Sequence, residues 1–376
     1  MILVIGDHRA ISPPDQEGRR FAVARGLDAF DALGDEWDAL AARAGTPFLL
    51  RAWLTAWCEA FGAHDVMVAT VREPDDRLAA AAVLCERRGA LGTPSNEHSG
   101  DWDAVAVDDA ARRMLWEGIA ALGHRQLRLA WLRGDSRATS IAGEALASAG
   151  YHTLLTPQTA SPYLEFPATW QELLARRSAN LRQQWRRRRG ALERQGLLAL
   201  RVTTGGDDLE RDLDTFIALE SSGWKGRQAS AVSSDPRTLR LYRSFARGAA
   251  ARGLLRLYLL ELDGRALAGD LGCAVGGVGF LIKTGFDDAQ AHLAPGLVLR
   301  GEVLRACIDE RLVGYDFLGG PDAYKVRWTD DVRPRVAMQG YRGVAGVAFS
   351  AYHSHIRPVL SQAVRGIRRA RAANDT

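Results

Sequence analysis

The chain has 376 residues, 47% hydrophobic and 25% charged, which excludes a disordered or fibrous protein and leaves length for two domains with a core in each. Its net charge of +4 hides a division: nine arginines face one acid in 176–201 and five face none in 357–371, leaving an acidic remainder. Basic clusters of this kind attract phosphates, nucleic acid or anionic membrane surface, while no apolar run approaches the roughly 20 residues that span a bilayer. The opening MILVIG is too short for a signal-peptide core, and four cysteines without CxxC spacing read as buried thiols rather than disulfides or zinc ligands. A cytoplasmic protein without a metal is therefore expected.

Residues 1–25 read as a frayed terminus or an edge strand. A helix is predicted over 27–44 and a second over 48–61, where Trp53, Ala56, Trp57 and Phe61 recur at helical spacing. Val66–Arg72 and Leu78–Arg87 predict a hairpin, and 104–107 a further strand. Between them, 92–103 is a polar loop whose His98, Asp101 and Asp103 are candidates to contact a sugar or a peptide in a cleft between domains. Helix 110–122, strand 126–131, helix 136–149 and strand 151–155 follow. The Pro-, Thr- and Ser-rich stretch 157–167 is the expected boundary, closing a first domain over 1–160.

Thr169 and Glu172 have capping-box spacing and start a helix predicted to run to Gln195, with Gly196 closing it. Trp170, Leu173, Leu181, Trp185 and Leu192 share one face, and the arginines spread over the rest. Helix 207–222 follows, with Glu220 near its C-terminal end, and Asp235-Pro236 caps the next. Residues 254–262, 265–275 and 278–286 are apolar-rich runs separated by Asp263-Gly264 and Gly276-Gly277, dipeptides that adopt the positive φ of tight hairpins. Pro295-Gly296 then opens a helical run, 315–318 returns as a parallel strand, and 334–341 is a final strand. A last helix is predicted over 346–360, and the basic tail beyond it reads as membrane- or partner-binding, or as disordered.

Three antiparallel strands, a loop, a helix and another strand form the order of the GNAT acyltransferase fold. The likeness is carried by Trp224-Lys225 ahead of the sheet, Ala294-Pro295-Gly296 before the helix, and Tyr315–Gly320 running into Tyr324-Lys325. The S-x-N-x-R-x-x-x-R-R pattern at Ser178, Asn180, Arg182, Arg186 and Arg187 adds to it. Over residues 160–345 the chain resembles the CelD/BcsL-like acyltransferases of cellulose and exopolysaccharide biosynthesis, which are similar in turn to the FemAB peptidoglycan transferases. The implied fold class is α/β (α+β), two GNAT-like units, each a mixed and mostly antiparallel sheet flanked by helices. A degenerate unit over 1–160 would precede a transferase domain over 161–345, with its arginine helix at 169–196, and a helix and tail over 346–376.

The resemblance implies an N-acyltransferase that uses acetyl-CoA or another acyl-CoA, with an amino sugar or lipid-linked saccharide of an exopolysaccharide precursor as acceptor. Two other readings stay open. One is a FemAB-like transferase fed by aminoacyl-tRNA, in which the arginine helix, through Arg182, Arg186 and Arg187, holds RNA. The other is a regulatory protein of polysaccharide export that binds an anionic ligand such as a cyclic dinucleotide, or sits peripherally at the inner membrane. DNA is not an expected partner.

Acyl transfer from a thioester to an amine needs a phosphate cradle, a base for the ammonium proton and an acid for the departing thiolate. Pro295, Gly296 and Leu297, at a helix entry where N–H groups are unpaired, are the expected cradle together with Lys283. The loop departs from the GNAT pattern in having one glycine instead of two. Tyr324, a phenol with an ordinary pKa of about 10, is the expected acid, with Lys325 orienting the donor or polarising its carbonyl. Asp270 and Glu220 rank ahead of Asp316 as base, because apolar or helix-terminal surroundings raise a carboxylate's pKa. Trp224, Lys225, His98 and Asp101 are the expected acceptor-side residues. Only three of the 49 basic residues are lysines, Lys225, Lys283 and Lys325, and a compact ammonium does what a guanidinium cannot. No Ser/His/Asp or Cys/His arrangement is seen, so direct attack is expected.

Overall fold

The computed structural model describes residues 3–5, 9–11, 18–62, 66–87, 89–222, 232–344, 346 and 348. Its strands are β1 (Leu3–Ile5), β2 (Arg9–Ile11), β3 (Arg20–Arg25), β4 (Val66–Arg72), β5 (Leu78–Arg87), β6 (Ala90–Gly92), β7 (Val105–Ala106) and β8 (Gln126–Arg133) in the first half. In the second half they are β9 (Tyr151–Glu165), β10 (Leu198–Thr203), β11 (Leu255–Leu262), β12 (Arg265–Val275), β13 (Val278–Phe286), β14 (Gly314–Asp316) and β15 (Val332–Arg342). Among the described residues they join in the order β1-β2-β3-β4-β5-β6-β8-β15-β9-β14-β13-β12-β11-β10, with β7 beside β5. The result is a mixed α/β fold on a largely antiparallel sheet.

Both halves repeat one local order. Antiparallel strands are followed by a strand, a helix and a parallel strand: β6, the helix Asp109–Ala121 and β8 in the first, β13, the helix Pro295–Asp309 and β14 in the second. The predicted hairpins β11-β12 and β12-β13 form as expected. Their turns use left-handed backbone at Asp263 and Gly264 (φ 50 and 77°) and at Gly276 and Gly277 (φ 57 and 77°), which a two-residue turn between twisted strands requires.

Two expectations change. The stretch read as a boundary, 157–167, lies largely within β9, a 15-residue strand that pairs with β15 along most of its length and with β14 at its end. Its prolines Pro157 and Pro162 sit at register positions opposite β15, so the Pro-, Thr- and Ser-rich composition belongs here to an extended strand. The final strand β15 leaves the second half and inserts between β8 and β9. The helix predicted over 169–195 is two helices, Trp170–Ala175 and Ala179–Glu193, because Ser178 caps a new start by accepting the Leu181 N–H at 3.3 Å. Strand β10 had no sequence expectation at all, and the helix read over 346–360, like the tail, lies largely outside the described residues.

The halves share a core. Helix Pro236–Ala250 packs its Phe245 edge-on to Trp53 of helix Arg51–Phe61, ring centroids 5.1 Å apart, and Tyr242 stands 6.3 Å from the same indole. A second apolar cluster sets the arginine helix Ala179–Glu193 against helix Pro295–Asp309, with Trp185 5.1 Å from Trp170 and Trp328 completing the group. The close approach depends on Gly301: a Cβ there would lie 2.0 Å from Trp185 Nε1. Gly301→Ala should therefore destabilise the protein by about 1–3 kcal/mol despite alanine's better helix propensity, read as a lowered denaturation midpoint. All four cysteines are buried thiols, and burial pushes Cys307 up to about 12.

Candidate active site

Strands β13 and β14 pair only through Val278–Phe280 and Gly314–Asp316. Beyond that point they part, because Leu318 and Gly319 turn the chain away in left-handed conformation (φ 50 and 58°). The gap opens into a cavity of about 740 Å³ whose wall includes Leu281–Phe286 of β13, the helix entry Ala294–Leu297, Tyr324 and Lys325. The first half supplies His98, Trp131 and Phe48 to the same wall. The site therefore belongs to both halves.

At the helix entry, most first-turn donors are spent. Ala294 N–H donates to Ala291 O at 2.9 Å, Pro295 has none, and Leu297 N–H turns back to Ala294 O at 3.1 Å. Gly296 carries the donor left for a ligand among the described residues. Lys325 is buried, and its ammonium donates to the carbonyls of Leu318 (2.9 Å) and Gly320 (3.1 Å) and pairs with Asp322 (2.8 Å). Those three partners use the three N–H bonds of an ammonium, so Lys325 braces the 318–322 turn instead of meeting a donor carbonyl as expected. Tyr324 lines the cavity beside it, and loss of water around its hydroxyl pushes the phenol pKa above the ordinary value, with Arg300 opposing.

The three candidate bases separate clearly. Asp270, on the inner strand β12, is fully buried; Arg300 donates to its Oδ1 at 3.0 Å and lies 2.7 Å from Oδ2 as an ion pair, so the carboxylate is the counter-ion of a buried guanidinium and stands off the cavity wall. Arg300 also donates to the Tyr315 hydroxyl at 2.9 Å. Asp316 is likewise fully buried, bonded to Ser161 and to the Leu318 N–H (2.9 Å), and faced by Arg333 and Arg335. Only Glu220 of the three stands on the cavity wall. Its Oε2 accepts the Val232 N–H at 2.8 Å, and its backbone rests so close on β13 that a Cβ at Gly285 would lie 2.4 Å from Glu220 Cα.

Near Glu220, His98 lies within hydrogen-bond reach of Thr238 Oγ1 through Nε2 (3.2 Å) and of the Tyr242 hydroxyl through Nδ1 (3.2 Å). Burial, then the Lys283 ammonium, hold its pKa below the ordinary histidine value, so it is a neutral imidazole at pH 7. Lys283, expected at the phosphate cradle, lies over the Tyr242 ring at 5.3 Å in this group instead. Asp101 does not reach the cavity wall as expected; it is buried against Arg335, which does.

Arg182 caps the preceding helix through one nitrogen, which donates to the carbonyls of Ala175 and Arg177. Arg186 and Arg187 are exposed. Trp224 and Lys225 lie outside the described residues. Sequence reasoning missed Arg300 and Arg335; a lone arginine inside the apolar stripe of a helix was the available signal for the first, since a buried cation requires a buried acid.

Residues 179–326 match the family model of the acetyltransferase (GNAT) domain. Among solved structures, the chain is similar to the C-terminal domain of a putative lysylphosphatidylglycerol synthetase from Agrobacterium fabrum, at 11% identity over 86% of this chain and 94% of that one, TM-score 0.53. It is also similar to L-PGS from Bacillus licheniformis (10% identity, 84% and 94% covered, TM-score 0.53) and to FemX (13%, 83% and 96%, TM-score 0.56). At these identities the likeness is one of fold. No curated protein matches the chain. Among the described residues no group of three or more His, Cys, Asp or Glu is gathered to hold a metal, and no helix is long and apolar enough to cross a membrane.

Proposed function

We propose that the chain is an N-acyltransferase that moves an acyl group from the thioester of an acyl-CoA, acetyl-CoA first, to an amine. The observation that carries this reading is the parting of β13 from β14 with Glu220 and Tyr324 on one cavity wall. The freed edge of Leu281–Phe286 offers backbone N–H and C=O groups to the amide-bearing arm of coenzyme A, which can add as an extra strand. The Gly296 N–H and the Arg327 guanidinium at the wall suit the phosphates at the arm's end.

In this reading Glu220 accepts the proton of the acceptor's ammonium, and the amine nitrogen forms a bond to the thioester carbon as the C–S bond breaks. Once bonded to carbon the nitrogen carries one proton too many; it passes this proton through water to the departing thiolate, and Glu220 returns the first to solvent, which leaves the amide and the free thiol. Tyr324 steadies the charge growing on sulfur by donating a hydrogen bond. A phenol with an ordinary pKa of about 10 is already a weaker acid than a thiol at about 8.5, so full proton transfer to the thiolate is uphill and Tyr324 acts here as a hydrogen-bond donor. An amino sugar of an exopolysaccharide precursor is the acceptor that the resemblance favours. Tyr324→Phe should lower kcat for acetyl transfer from acetyl-CoA to glucosamine by about tenfold to a hundredfold with little change in melting temperature, measured by mass spectrometry of the product. An unchanged kcat would remove Tyr324 from the mechanism, and absence of transfer by the wild type would remove the reading.

A second reading, an aminoacyl-tRNA donor, is favoured by the exposed pair Arg186 and Arg187 on the helix packed against the cradle helix. Steeply salt-dependent tRNA binding, lost in an Arg186→Gln/Arg187→Gln variant, would establish it over acyl-CoA.

A further inference from the structure

The backbone of Trp131 is left-handed, φ 62°, a conformation that a bulky residue rarely takes. The cause lies in the register of β8 against β15. Leu132 pairs with Val336 and Leu129 with Met338, so Ala130 and Trp131 together oppose the single residue Ala337. That is a β-bulge, a device that bends a strand and re-aims one side chain. A second bulge lies beside it, where Thr159 and Ala160 of β9 oppose Pro334 alone.

Three hydrogen bonds hold the strained residue in place. Its N–H donates to Gln158 Oε1 at 2.6 Å, its carbonyl accepts the Trp102 N–H at 2.9 Å, and its indole Nε1 donates to Asn96 O at 3.2 Å. The effect is to set a half-buried indole on the cavity wall, next to the polar loop that brings Glu97, His98 and Ser99 to the same wall. Ala294 and Leu318, the other left-handed non-glycine residues on this wall, sit at the cradle helix and at the turn that opens the gap. Strain of this kind persists only where the surroundings over-determine it, and it gathers at ligand sites.

We propose that Trp131 is the platform for the acceptor, a saccharide ring whose C–H face lies on the indole while its hydroxyl groups meet the 96–99 loop. A pyranose has both an apolar face and a polar edge, which is the pairing this wall offers; a linear amine fills only the polar part. The proposal rests on the transferase reading for the term acceptor, but saccharide binding can be read without transfer.

The test compares wild type with Trp131→Asn, since asparagine tolerates left-handed backbone and preserves the bulge. Circular dichroism and a cooperative melt establish that the variant is folded; if it is not, Trp131→Tyr, which keeps a smaller platform, is measured in its place. The first readout is binding of glucosamine and UDP-glucosamine by saturation-transfer NMR without donor: wild type binds and the variant loses the signal. The second is acetyl transfer from acetyl-CoA to glucosamine against 2-aminoethanol, where the ratio of kcat/KM values should fall about tenfold in the variant. Loss of saccharide binding with no transfer to either amine by wild type would uphold the platform and remove the transferase reading. Transfer with an unchanged ratio, or saccharide binding equal in both proteins, would overturn the platform and leave the transferase reading standing.

Discussion

Replacing Glu220 by glutamine is expected to lower kcat for acetyl transfer by about 10²–10⁴-fold, the range over which a positioned base contributes. The substitution is nearly isosteric, and the amide oxygen can still accept the Val232 N–H that Glu220 Oε2 accepts at 2.8 Å, so the fold should survive. What disappears is the capacity to take a proton. The amine must shed one before its lone pair can attack, and of the three carboxylates considered for this step Glu220 is the one on the cavity wall. If kcat falls less than fivefold, the base lies elsewhere, and neutral His98, within reach of Tyr242 and Thr238, becomes the candidate to test.

The contrast among those carboxylates explains what was legible in the sequence. Local chemistry read well: Asp263-Gly264 and Gly276-Gly277 fix their turns through φ alone, and Pro295 opens its helix because the missing N–H costs nothing there. Whether a carboxylate is free or neutralised depends instead on partners far away in the chain. Asp270 was a reasonable base until Arg300, thirty residues on, paired with it in the interior. Asp101 and Arg335 are 234 residues apart, and no local pattern announces that pair. Lys325 was singled out as unusual, but a buried ammonium has to satisfy three donors first, and two nearby carbonyls and the Asp322 carboxylate took them. Trp131 was read as the end of a strand, because a bulge is defined by the partner strand, which comes from the far end of the chain.

Arg335→Met should be the most destabilising single change, costing about 3–5 kcal/mol, because it removes one member of a buried charge network and leaves the others behind. Arg335 lies under the cavity on β15, its side chain 1% exposed, and its guanidinium serves Asp101 from the first half and Asp316 from β14. Asp316 retains Arg333 at 3.5 Å, whereas the Asp101 carboxylate loses the partner its side chain is paired with. Denaturant midpoints at several pH values separate this charge effect from lost packing. Burial already raises the pKa of Asp316, with Arg335 the largest opposing influence, so removing Arg335 raises it further. A carboxyl whose folded pKa lies above its unfolded value binds its proton more readily when folded, so falling pH favours the folded state. The deficit of Arg335→Met should therefore be largest above neutral pH and shrink as pH falls towards the folded pKa of Asp316. Adding Asp101→Asn should recover part of it at pH 7, since an amide costs less to bury than an unpaired carboxylate. A deficit that ignores both pH and the second substitution would mean that Arg335 acts by filling space, and that the two halves are held together by their shared aromatic core instead.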